Sequence, residues 1–191
     1  LGTFYVTPRN GTFLKKNSQL YRKVKREFYN TQTLSTSGFT YTQFVKDRIM
    51  TGEEASLTNA FVAFCHTNLA HNQSDRFDLD VVKSAFQSDP EITLKLIQLF
   101  RIRFDPGMKG KEDAYVKALG EMKKEIENYN TGHRYLDEIR KTVFRTCMLF
   151  ICHTLKNNFF VDEKFALAFR LDPAYLQELG PEFTSDLPPA Q

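Results

Sequence analysis

The side chains that could do chemistry are few and scattered. Cys65-His66 with His71, and Cys147 with Cys152-His153, are the groupings with metal-ligand character. A metal needs its ligands on one side of a helix or hairpin, which Cys-x-x-Cys or His-x-x-x-His spacing provides and neither grouping has. Cys147 and Cys152 point to different faces of a helix. They read as core or interface thiols, and the histidines as surface imidazoles. Gly107-Met108-Lys109-Gly110-Lys111 superficially resembles a phosphate loop, but the first Gly is not at the required spacing. Glu112 also follows the Lys, where Ser or Thr would bind magnesium, so the stretch reads as a turn between helices. Asp75-Arg76-Phe77-Asp78-Leu79-Asp80 has the composition of a calcium loop without its turn Gly or closing Glu, and reads as a helix-capping stretch. No Gly-x-Gly-x-x-Gly or Gly-x-Ser-x-Gly occurs. The carboxylate pairs Glu53-Glu54, Asp137-Glu138 and Asp162-Glu163 fall at helix or strand starts, where we expect solvated faces. From the residues alone we assign no catalytic, cofactor-binding or metal-binding residue.

One feature has a binding character. Arg22-Lys23-Val24-Lys25-Arg26 lies beside Tyr21, Phe28 and Tyr29, and clustered cations with aromatics can track phosphates and stack on bases. The commoner meaning of such a cluster is a solvated helix face or an acidic partner within the chain. Residues 1–27 hold seven of the 26 basic residues but one of the 23 acidic ones, so the net charge of +3 conceals a basic arm on a mildly acidic body.

The scaffold that must position these groups is a globular one. At 191 residues, 41% of them hydrophobic, the chain can bury a sizeable core without a metal or disulfide. Eighteen Phe and no Trp predict a Phe-rich interior. Three Cys at no framework spacing read as reduced thiols, which places the chain in a reducing compartment: intracellular, cytoplasmic or mitochondrial matrix. No run of about 18 apolar residues is present, and no signal peptide opens the chain. The Leu1 start and the Pro188-Pro189-Ala190-Gln191 end lead us to expect a piece of a longer polypeptide.

The periodicities predict a mainly α fold of six or seven helices, with a C-terminal β-strand and a possible N-terminal β-hairpin at Phe4 to Leu14 around Asn10-Gly11. We expect three parts: residues 1–40, a basic N-terminal arm of hairpin, helix and polar linker; residues 41–160, the helical domain; and residues 161–191, a strand and linker. Within the domain, Tyr41, Phe44, Val45 and Ile49 suggest a short helix. Thr51 and Glu54 have capping-box spacing, before a helix that buries Leu57, Ala60, Phe61, Phe64, Cys65 and Leu69. Asp78 should cap a short helix. Asp89-Pro90 should start another, apolar nearly all round from Ile92 to Ile102 and therefore central. Lys111 opens the next, with Tyr115, Leu119, Met122, Ile126 and Tyr129 inside. The last long helix should run from Tyr135 to Lys156, with Leu136, Ile139, Val143, Cys147, Ile151 and Leu155 on one side. In Lys164 to Leu171 every second residue is large and apolar, as in a strand with one buried face. We expect its partner beyond Gln191 rather than in the N-terminal hairpin.

The C-terminal third carries a family likeness. The run Val143-Phe144-Arg145-Thr146-Cys147-Met148-Leu149-Phe150-Ile151-Cys152-His153-Thr154-Leu155-Lys156-Asn157-Asn158-Phe159-Phe160, followed by Lys164-Phe165-Ala166-Leu167-Ala168-Phe169-Arg170-Leu171-Asp172-Pro173, resembles the segment just upstream of the catalytic core in the large NAD-dependent glutamate dehydrogenases. Phe100 to Pro106 is similar more weakly, and the likeness covers residues 134–173. It implies a parent protein that deaminates L-glutamate oxidatively to 2-oxoglutarate and ammonia, passing hydride to NAD. The family's substrate and NAD motifs are Gly-rich and do not occur in this chain, so no catalytic role transfers to any residue and no NAD would bind this segment. The implied partners are the remainder of the same polypeptide and further copies in a homo-oligomer, with no membrane and with nucleic acid disfavoured. The alternative is a stand-alone helical module or scaffold that uses its basic N-terminal helix to bind an anionic partner.

Overall fold

The computed structural model describes Gly11, residues 15–29, Phe44, residues 49–162, Lys164 and residues 166–184. Among these the chain forms eight helices: α1 (Gln19–Tyr29), α2 (Gly52–Gln73), α3 (Leu79–Ser88), α4 (Pro90–Phe104), α5 (Lys111–Glu127), α6 (Arg134–His153), α7 (Tyr175–Leu179) and α8 (Pro181–Thr184). Two short strands, β1 (Thr154–Asn157) and β2 (Phe169–Leu171), form an antiparallel sheet near the C-terminal end. The mainly α expectation holds. The expected hairpin lies outside the described residues apart from Gly11, as does the expected helix before Ile49 apart from the helical Phe44. Among the described residues no helix is long and apolar enough to cross a membrane.

The local start signals at Thr51, Asp78 and Asp89 work as read. The Thr51 hydroxyl accepts from the Glu54 N–H at 3.2 Å, and the Glu54 carboxylate accepts from the Thr51 N–H at 2.8 Å, a closed capping box at the start of α2. Asp78 accepts from the Val81 N–H at 2.8 Å, and Asp89 accepts from the Ile92 N–H at 3.1 Å with Pro90 following. Asp–Pro sets the cap and the fixed φ of the first turn, which pins α4.

The core is built from phenylalanine. Phe61 of α2 is fully buried and meets Phe86 of α3, Phe100 of α4 and Phe150 of α6, with ring centroids 6.4, 6.1 and 5.7 Å away. The contacts continue outwards in both directions. Phe86 leads to Phe144 and Tyr129, while Phe100 leads to Phe159 and Phe160. Most of these pairs are edge-to-face, which sets the positive ring edge against the negative face of the next. Phe needs no hydrogen-bond partner inside, whereas an indole N–H would, and this fits a core rich in one and lacking the other.

The C-terminal third corrects the sequence reading. Helix α6 ends at His153, not Lys156, because Thr154 turns extended while its N–H and hydroxyl both bond to the Phe150 carbonyl. The apolar spacing had run on through Leu155, which is half exposed on β1, as Leu136 is near the start of α6. Among the described residues, the strand expected over Lys164 to Leu171 forms only at Phe169–Leu171. Its partner is β1, in the register Lys156 opposite Arg170 and Asn157 opposite Phe169 with an irregularity at Leu155. Asn158 explains the shortening: its side chain accepts from the Ala168 N–H and donates to the Ala166 carbonyl, replacing ladder bonds with a turn. The alternation still reports burial, since Leu167, Phe169 and Leu171 all pack on the core. Beyond β2, Leu179 of α7 and Phe183 of α8 are buried, Phe183 edge-on to Phe77.

Replacing Phe61 by Ala removes the ring shared by four helices and should lower unfolding stability by about 3–5 kcal/mol, the usual cost of a truncated core aromatic. Thr51→Ala opens the capping box and should cost about 1 kcal/mol. Urea titrations followed by circular dichroism test both, and a Phe61→Ala loss below that for Thr51→Ala would contradict this account of the core.

Candidate functional site

Polar side chains gather where the ends of α4 and α6 meet the start of α5. Arg103 stands in the last turn of α4, where a cation suits the helix dipole. Its guanidinium donates to the Cys152 carbonyl at 2.6 Å and to the Tyr115 hydroxyl at 2.9 Å. The Tyr115 hydroxyl in turn donates to the Cys152 sulfur at 3.4 Å. Arg103 also lies 5.2 Å from the ring centres of both Phe104 and Tyr115. Burial, and then the Cys152 thiol, push the Tyr115 phenol up to about 12, against the opposing pull of Arg103. A general acid or base works best with a pKa near the working pH. This phenol keeps its proton, so the cluster ties three helices together rather than moving protons.

A second cluster closes over the start of α2. Glu54 accepts from Arg101 at 2.7 Å while it caps the helix. Glu53 lies 3.5 Å from the ammonium of Lys164, whose side chain is buried. That ammonium also donates to the carbonyls of Phe159 at 2.7 Å and Val161 at 3.1 Å. A buried lysine attracts notice as a nucleophile, but here three acceptors match its three N–H donors. The expectation of solvated Glu53 and Glu54 is therefore corrected: both are mostly covered and paired. Asp137 is corrected likewise. It is buried and accepts from the Thr131 hydroxyl at 2.6 Å and N–H at 2.9 Å, bonds that hold its carboxyl below the usual range.

The cysteines regroup in space. Cys65 and Cys147, from different helices, are both fully buried, and Cys65 donates to the Val143 carbonyl at 3.5 Å. Burial, and then a hydrogen bond to Cys65, push the Cys147 thiol well up. His66 is half-buried and His71 exposed, while His153 pairs at 3.0 Å with Glu178 of α7. Among the described residues no three His, Cys, Asp or Glu gather as metal ligands. Residues 107–111 form the α4–α5 turn. Gly107 donates to Asp105, and Gly110 takes the left-handed φ of 64° that glycine tolerates.

Two clefts open on this surface. One, of about 240 Å³, has Leu94, Ile97, Ile102 and Met108 along its lining and the Glu54–Arg101 pair at its side. The other, of about 520 Å³, lies between the start of α4 and the end of α5 and is lined by Asp89, Glu91, Lys124, Glu125, Asn128 and Tyr129. Lys95 bridges Glu91 and Glu125 beside it, which raises the Lys95 ammonium to about 12. The Arg103–Tyr115–Cys152 and Lys164–Glu53 groups were not anticipated, because their members are far apart in sequence and of unremarkable type. No protein-family model, no characterised protein and no solved structure matches the chain.

Tyr115 holds its proton more tightly folded than unfolded, where a phenol titrates near 10. The folded state therefore binds more protons between about pH 10 and 12, and its stability falls as pH rises through that window. Absorbance at 295 nm should show a late phenol step near 12 that Tyr115→Phe removes. Arg103→Met should cost about 2 kcal/mol, since it strips charged hydrogen bonds from a carbonyl and a phenol.

Proposed function

We propose that this chain is a non-catalytic helical segment of a large NAD-dependent glutamate dehydrogenase, linking regulatory parts to a catalytic core. The observation that carries the reading is the likeness of residues 134–173 to the segment upstream of that core. The described residues of that stretch form α6, β1, a turn held by Asn158 and Lys164, and β2. The run is seated on the Phe core through Phe150 and Phe169, whose rings are 5.0 Å apart. A linker so seated can hold a downstream domain at a fixed angle to an upstream one.

NAD belongs to the parent protein in this reading. A dinucleotide needs an open parallel sheet with a Gly-rich turn at a helix N-terminus. The described residues form two antiparallel strands, which do not fit it. No step of hydride transfer is therefore assigned to this chain.

A second reading has its own observation. Helix α1 exposes Leu20 and Val24 beside the exposed Arg22 and Lys25, an amphipathic arrangement suited to an anionic partner. Its mark would be salt-sensitive binding to an anionic polymer that disappears when Lys23, Lys25 and Arg26 are neutralised.

Extending the chain through its native downstream reading frame tests the first reading. With glutamate and NAD, absorbance at 340 nm should rise for the extended protein and stay flat for the 191 residues. Turnover by the 191-residue chain, or none by the extended one, would sink the proposal.

A further inference from the structure

The β1–β2 sheet holds an uncompensated electrostatic conflict. Lys156 sits directly opposite Arg170 across the ladder, and both side chains are exposed. Directly opposed like charges destabilise an antiparallel pair. Neither cation has an ion pair among the described residues, although Lys83, Lys95, Arg101 and Lys164 each have one. Next to this rung on β1, Leu155 is 50% exposed. The sheet has two strands, so each has one edge with no strand beside it among the described residues. An edge presents N–H and C=O groups spaced to receive another backbone.

These features select one kind of occupant. The rung asks for carboxylates, Leu155 offers apolar contact, and the strand edge asks for a backbone with its own donors and acceptors. A phosphate polymer or lipid surface supplies charge but no such backbone. We propose that this sheet is a docking site for an acidic, extended segment of a partner protein, which adds a strand and sets its carboxylates against Lys156 and Arg170. The inference does not rest on the dehydrogenase reading, since it uses only the rung, the edge and their exposure.

A capped nonapeptide alternating Glu with Val tests it against the isotope-labelled chain, with its Lys-for-Glu counterpart and inorganic polyphosphate as comparison probes. The Glu peptide should cause saturable amide shifts in Leu155 to Asn157 or Phe169 to Leu171, weaker at high salt. Arg170→Glu should weaken that binding about tenfold or more. The same change turns the rung into an opposite-charge pair, so it should leave the melting temperature equal or higher, which separates lost docking from lost folding. Lys83→Glu, on α3, should leave binding unchanged. The absence of saturable shifts, full affinity in Arg170→Glu, or equal shifts with the Lys peptide or polyphosphate would each overturn the proposal.

Discussion

The ring of Phe61 is where the helices become one body. Three other rings, each from a different helix, close on it, and none of the four carries a polar atom that would need satisfying. Once that junction forms, the positions of α3, α4 and α6 relative to α2 are fixed, because close-packed interiors leave no room for a slide. The polar clusters depend on this placement. Arg103 reaches the Cys152 carbonyl only because Phe100, one turn earlier on α4, is locked against Phe61. Apolar packing thus supplies position, and the charged groups fasten the periphery.

Those fastenings share a logic. Arg103, Lys164 and Asp137 each satisfy backbone groups that a helix end or turn would otherwise leave bare. An unpaired backbone group costs about as much as a lost hydrogen bond when buried. Such side chains let loops lie close to the core. Lys164 does this for the turn after β1, and its ion pair with Glu53 joins that turn to the first turn of α2.

What was legible in the sequence was local. The capping box at Thr51 and Glu54, the cap at Asp78 and the start at Asp89-Pro90 involve partners three residues apart, so type and spacing decide them. The apolar stretch from Ile92 to Ile102 announced its central place by composition. The illegible parts turn on distant pairs. The end of α6 was misplaced because Leu155 continues a helical spacing while the bonds to β2 favour an extended chain. The alternation outruns the strand because it measures burial, not hydrogen bonding, and Asn158 takes over the bonds. Glu53 and Glu54 look solvated in the sequence, since nothing near them shows Lys164 or Arg101 arriving. Cys65 and Cys147 meet only after α2 and α6 pack, so no spacing rule could pair them.

The tie between Tyr175 and Asn68 has a consequence for synthesis. The phenol donates to the Asn68 side chain at 3.1 Å across 107 residues of chain. The Phe64 ring one turn earlier on α2 also rests on Tyr175. At a ribosomal rate of roughly 5–20 residues per second, the C-terminal half of α2 waits about 5–20 s for its cover. Phe150 reaches Phe64 earlier, as α6 is made, so during that interval a nascent helix presents only the Tyr175-facing side of Phe64 bare, the kind of surface that holding chaperones bind. The fold therefore leaves its first long helix open to misassembly until α7 and α8 are made.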